Sequence, residues 1–124
     1  MSRLIPNDAL LEKVVDLPEL LARVEDDREL LAELFVLFVE ELPGFHDALR
    51  HAVAVGNLPE AARAAHALKG MLANMSMKRG ASLASSFEAA VQTGDMPAIN
   101  NALAAFDSEI ATLLAAVGAF VAEG

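Results

Sequence analysis

Apolar residues recur every three or four positions along most of this chain, the spacing of helices that bury one face. The longest run, Leu31, Leu34, Phe35, Phe38, Leu42, Phe45, Leu49 and Val53, keeps that rhythm through Pro43. Proline removes one helical hydrogen bond and crowds the preceding turn, so the pattern predicts a bend near residues 39–43 and no stop. Asp26 and Glu29 stand at capping-box spacing before this run, and Gly56 closes it. Asn57, Pro59 and Glu60 then open another helix. The same grammar, Gly94-Asp95-Met96-Pro97, introduces a last helix through Ile99, Leu103, Phe106, Ile110, Leu113, Val117 and Phe120. Between them, a helix over about 77–93 turns Leu83, Ala84, Phe87 and Val91 inward. Ahead of the long run, Asn7 or Asp8 starts a short segment to about Val14, and Pro18 suits the first turn of another reaching Val24. Four substantial helices with short connections predict an all-α fold. Its expected form is an antiparallel four-helix bundle over about residues 26–122, with one or two short N-terminal helices. At 124 residues the chain is one domain in size.

The helix opened by Asn57 carries the chemistry. Its residues advance by about 100° each, so Lys69 falls at about 300° and Gly70 at about 40° from His66. Ala62, Arg63 and Ala73 project on the same side. Ala61, Ala64, Leu68, Met71, Leu72 and Met75 occupy the opposite side and form the buried stripe. The exposed face thus offers an imidazole, a cation one turn away, and small residues that leave room for something large to approach. Met77, at about 20° on the same wheel, is expected at the rim of that patch. Gly70 is an interior helical position, where glycine costs about 0.8–1 kcal/mol against alanine. The return expected for that cost is access for a partner's backbone.

His66-Ala67-Leu68-Lys69-Gly70, preceded by Ala64-Ala65, resembles the His-x-x-Lys-Gly motif of histidine-containing phosphotransfer domains. The resemblance spans about residues 15–95 and takes in Asp26-Asp27-Arg28-Glu29-Leu30-Leu31, Phe35, Phe38, Leu42-Pro43 and Gly56-Asn57 upstream, with Leu83, Phe87, Glu88 and Gly94-Asp95 downstream. It implies a phosphorelay carrier of two-component signalling, in which His66 accepts a phosphoryl group from a receiver-domain aspartyl phosphate and passes it to another receiver. Lys69 would stabilise the phosphate, and Ala62, Arg63, Gly70, Ala73 and Met77 would form the access and docking surface. No cofactor is expected on this chain, since the Mg²⁺ of such reactions belongs to the receiver. The receiver partners include those of hybrid histidine kinases. Two departures stand out: Met71 and Leu72 replace the small residues usual after Lys-Gly, and Ser76 stands where such domains often have glycine.

A phosphoryl group crossing between aspartate and histidine passes through a loose transition state, so positioning and charge stabilisation do most of the work. Histidine suits a carrier because an imidazole ordinarily titrates at about 6.5 and is largely neutral and nucleophilic near pH 7. A lysine one turn away acts on the phosphate as a mobile point charge. His46 and His51, five apart and about 140° around the helix, do not share a face and read as surface histidines. Phe35, Phe38, Phe45 and Phe87 read as core, and Met71 and Met75 as packing.

Composition adjusts the picture in three places. Eighteen acidic against nine basic residues give a net charge of −9, which argues against nucleic-acid binding. Residues 61–87 nevertheless hold Arg63, Lys69, Lys78 and Arg79 with no acid, so a locally positive site on an acidic body is expected. Much of the 55% hydrophobic content is alanine, a signal of helix more than of a thick core. Without cysteine there is no disulfide framework and no zinc–cysteine site, and no metal site is expected. The longest apolar stretch, near Ile110–Ala122, is interrupted by Thr112 and is shorter than the roughly 20 residues of a membrane span, and the first residues lack a signal-peptide layout. A cytoplasmic protein is the expectation. The chain also has no glycine-rich nucleotide loop and no room for an ATP domain, which points to a carrier without autokinase activity. The alternatives are a structural helical interaction module without transfer, and the phosphotransfer fragment of a chemotaxis-type kinase.

Overall fold

Three side chains start three of the helices. Asp16 Oδ1 accepts the Glu19 N–H at 3.2 Å, Asp27 Oδ1 that of Leu30 at 2.9 Å, and Asn57 Oδ1 that of Glu60 at 3.1 Å. Each satisfies a donor that the first helical turn leaves free. The computed structural model describes residues 5–123, with side chains over 9–122. Six helices make up the described residues: α1 (Ile5–Glu12), α2 (Leu17–Arg23), α3 (Arg28–Ala54), α4 (Leu58–Asn74), α5 (Lys78–Thr93) and α6 (Met96–Glu123). Gly56 and Gly94 take φ of +74° and +72° at the turns after α3 and α5, a region that costs glycine nothing.

Helices α3 to α6 form the bundle. Each packs on its chain neighbour, α3 and α6 meet to close the ring, and α1 lies on α6. Phe35 meets Phe120 edge-on at 5.4 Å between ring centroids, while His46 Nε2 lies 2.6 Å from Asp107 Oδ1. Partners that descend along α6 as they climb α3 show that the two run antiparallel. Phe35, Phe87, Phe106, Leu42, Leu68 and Leu72 are fully buried at the centre. Gly80 lets α5 approach closely, since a Cβ there would stand 3.2 Å from Leu72 Cδ1 and 3.3 Å from Leu113 Cδ1.

Several expectations need correction. The first helix begins at Ile5, ahead of Asn7 and Asp8, whose side chains lie outside the described set, and it ends at Glu12. The cap of α3 is Asp27 and not Asp26; Asp26 takes φ +61° and follows Glu25 at +53°, so the chain turns before the helix starts. One expectation here holds: Pro43 does not stop α3, which runs through it over 27 residues. Phe45 is 42% exposed and outside the core, because it stands about 60° around the helix from Leu42. Over Met96–Ala122 helix α6 is long and apolar enough to cross a membrane, a longer span than the stretch near Ile110–Ala122. Its large side chains, Ile99, Phe106, Ile110, Leu113, Val117 and Phe120, are instead buried in the bundle.

Candidate functional site

Helix α4 buries Ala61, Ala65, Leu68 and Leu72, a stripe centred somewhat nearer to Lys69 than the sequence wheel suggested. His66 stands outward, its side chain 73% exposed, while Lys69 at the edge of the stripe is 41% exposed. Arg63, Gly70 and Ala73 are exposed beside them and Ala62 is half-buried. A Cβ built on Gly70 meets nothing within 4 Å, so no packing inside the bundle requires glycine there.

Met77 does not belong to this surface. It is fully buried and caps α5. The wheel fails for it because α4 ends at Asn74 and Ser76 turns the chain with φ +56°, so Met77 lies beyond the helix on which it was projected. Ser76 is itself buried and does not cap α5, whose N-cap Met77 has no side-chain hydrogen bond. A non-glycine residue in left-handed backbone explains why glycine would suit this position.

The residue that sequence reasoning left out of the site is Glu88. Its Oε2 lies 3.3 Å from His66 Nδ1 and its Oε1 3.9 Å from Lys69 Nζ, so one carboxylate of α5 faces both candidate side chains of α4. Two signals for it existed: Glu88 is the lone acid of α5, and Met77, at the turn, stands midway between positions 66 and 88. An antiparallel hairpin about that turn brings the two positions opposite each other.

Each cation of the acid-free segment 61–87 finds an acid from outside it. Arg63 Nη2 is 2.6 Å from Glu60 Oε1, and Lys69 faces Glu88. Lys78 Nζ lies 3.0 Å from Asp16 Oδ2 and 3.3 Å from Glu19 Oε2. Arg79 Nε donates to Glu109 Oε1 at 3.1 Å. The expected positive patch is thus largely neutralised in the fold. Around Lys78 the pairing is close enough to shift titration. The Lys78 ammonium and then the Glu19 amide hold the Asp16 carboxyl below its ordinary value of 3.8. Glu19 is held below 4.5, first by the Ser76 hydroxyl and then by Lys78 and Arg23. That hydroxyl is near Glu19 without closing a hydrogen bond of ordinary geometry.

His46 pairs with Asp107, which also accepts from Arg50 Nη1 at 3.0 Å, and stacks edge-on against Phe106. It is a half-buried link between α3 and α6 and not the free surface histidine expected.

A family model for the Hpt domain matches residues 33–119, a segment that includes His66, Lys69, Gly70 and Glu88. The chain belongs to the Hpt domain family. As an Hpt domain it has the phosphotransfer carrier role of two-component systems and works with receiver domains. No curated protein and no solved structure matches the chain.

Proposed function

We propose that His66 is the phosphoryl acceptor and donor of this Hpt domain, that Lys69 steadies the group in transit, and that Glu88 positions the imidazole. The observation that carries the reading is one carboxylate facing both His66 Nδ1 and Lys69 Nζ beneath an outward imidazole. A carboxylate on the Nδ1 side favours the tautomer with its proton there. The lone pair is then on Nε2, the nitrogen turned away from Glu88.

In the forward step the Nε2 lone pair of His66 attacks the phosphorus of a receiver's aspartyl phosphate. The P–N bond forms as the P–O bond to aspartate breaks, and that electron pair leaves on the aspartate carboxylate. No proton need move. The imidazole, keeping its Nδ1 proton, becomes cationic, and Glu88 offsets that charge while Lys69 can turn from Glu88 to the phosphoryl oxygens. Transfer to a second receiver reverses each bond change. Mg²⁺ belongs to the receiver, and the chain acts as a carrier without autokinase activity.

Gly70 and Ala73 leave the approach to Nε2 open. Incubation with phosphorylated receiver domains tests the reading: wild-type chain gains acid-labile, base-stable label, and His66→Gln gains none at unchanged thermal stability. Undiminished labelling of His66→Gln would overturn it.

A further inference from the structure

Helix α2 has two faces with different surroundings. Glu19 and Arg23 meet the corner at the α4–α5 turn, where Arg23 Nη1 donates to Ala73 O and Asn74 O at 3.3 and 3.2 Å and Lys78 Nζ lies 3.3 Å from Glu19 Oε2. Leu17, Pro18 and Leu21 are centred roughly 170° around the helix from that pair. These three line an apolar cavity of about 320 Å³, which Leu11 of α1, Leu31 and Phe35 of α3 and Phe120 of α6 complete. The four residues from the other helices are exposed by 3% or less, so the wall opposite α2 is core. Among the described residues none of α4 or α5 borders the cavity, which places it off the His66 face.

Glu12 and Arg28 are the charged residues on its border, and they stand at different ends. Glu12 also borders the hollow that holds Lys13, Ser76 and Arg79, whereas Arg28 and Phe120 also border an open groove of about 410 Å³ along α3 and α6. Among the described residues the Arg28 side chain makes no ion pair and no hydrogen bond. Glu29 and Glu33 line the groove beyond it and not the cavity, and neither pairs with it. Arg28 is also the first residue of α3, the positive end of the helix dipole, where a cation is disfavoured. Neither a partner nor the helix accounts for the guanidinium, whose five N–H groups can only donate. A concave apolar site with unclaimed donors at its mouth has the composition of a small-molecule site.

We infer that this cavity binds a medium-length acyl chain, its tail against Leu11, Leu17, Leu21, Leu31 and Phe35 and its terminal carbonyl or carboxylate oxygen accepting from Arg28. The head must be an acceptor because the guanidinium offers donors alone, and a cationic head would be repelled. The tail must be single and of modest size, because the cavity lies near the lower end of the roughly 300–1,000 Å³ of ligand pockets. The groove beyond Arg28 gives such a chain a way in, end first. The inference stands apart from the reading of His66.

The test uses octanoate, octanamide and octylammonium as probes, followed by methyl NMR of the whole chain. Octanoate is expected to shift the methyl groups of Leu11, Leu17, Leu21 and Leu31 saturably, with a Kd below about 5 mM, and to move those of Leu68 and Leu72 less. Arg28→Met, at an exposed position, keeps the apolar stem and removes the donors. It should weaken octanoate by at least about fivefold. Octylammonium should bind at least about tenfold more weakly than octanoate. Leu21→Trp, which fills the cavity, should abolish the shifts; where its melt shows a lost fold, Arg28→Met and the probe series decide alone. Octanamide within about threefold of octanoate, or tighter, would assign the site to ester- or amide-linked acyl groups, and weaker octanamide to free fatty acids. No saturable shift at the four leucines, unchanged affinity in Arg28→Met, equal binding of octylammonium, or undiminished binding by a folded Leu21→Trp would each overturn the inference.

Discussion

Glu88 Oε2 lies 3.3 Å from His66 Nδ1 across the α4–α5 hairpin, which leaves Nε2 as the ring nitrogen without the carboxylate beside it. On the proposed reading, this ties a residue of α5 to the reactivity of α4 through the tautomer of one ring. Glu88→Gln should slow phosphoryl acceptance by about tenfold, equivalent to about 1.4 kcal/mol in the barrier, because an amide neither selects the Nδ1–H form nor offsets the cationic product. Nitrogen NMR of the imidazole checks the cause independently: the wild type should hold the Nδ1–H tautomer and the variant a mixture. A wild-type rate with a mixed tautomer in both proteins would remove Glu88 from the mechanism.

Gly70 should behave oppositely in stability and transfer. Its Cβ position is open, so Gly70→Gln is expected to stabilise the fold by up to about 1 kcal/mol. The same side chain would stand in the path of a receiver approaching His66. Thermal melts and transfer rates on one preparation decide the matter. Transfer within a factor of two of wild type would mean that close approach at this point is unnecessary.

Lys69 and Arg63 flank His66 but are differently committed. Arg63 is held by Glu60 at 2.6 Å, whereas Lys69 reaches Glu88 only at 3.9 Å and is free to turn to a phosphate. Lys69→Ala should slow transfer and shorten the phosphohistidine lifetime, and the loss should persist within the preformed complex. Arg63→Ala should weaken encounter slightly, an effect that fades once the Debye length falls below about 8 Å. Equal, salt-dependent losses in the two variants would reduce Lys69 to a steering charge.

Lys78 sets a pH signature for the corner at α2. Asp16 and Glu19 titrate below their ordinary 3.8 and 4.5, so the stability they contribute is present above those values and is lost as pH falls through the lowered ones. Lys78 is raised above 10.5, first by Asp16 and then by Glu19, so its contribution is present below 10.5 and is lost as pH rises through the raised value. The melting-temperature difference between wild type and Lys78→Ala should therefore be flat from about pH 5 to 10 and shrink outside that window. A difference independent of pH from about 2.5 to 12 would show that the pairing does not contribute to stability.

Local chemistry made much of this fold legible. Asn57, Pro18, Gly56 and Gly94 mark helix ends through caps and backbone freedom that depend on near neighbours alone, and the structure places ends of α2, α3, α4 and α5 at or beside them. His66, Lys69 and Gly70 lie on the face that helical spacing gave them. The misreadings arise where tertiary pairing decides. Met77 was projected along a helix that ends at Asn74. Phe45 follows the three-four rhythm yet falls beside the buried stripe. The positive segment is cancelled by Glu60, Glu88, Asp16, Glu19 and Glu109, four of them on other helices than the cations they meet or at such a helix's cap. Glu88 joins the site only once α5 folds back on α4.

The most direct measurement of the central claim is phosphorus–nitrogen NMR on ¹⁵N-histidine-labelled chain charged by a phosphorylated receiver. The expected spectrum shows phosphorus coupled to Nε2 of His66, with the proton on Nδ1, and the signal disappears when an unphosphorylated receiver is added. Phosphorus on His46 or His51, or a receiver-derived phosphoryl group on no histidine at all, would contradict the account.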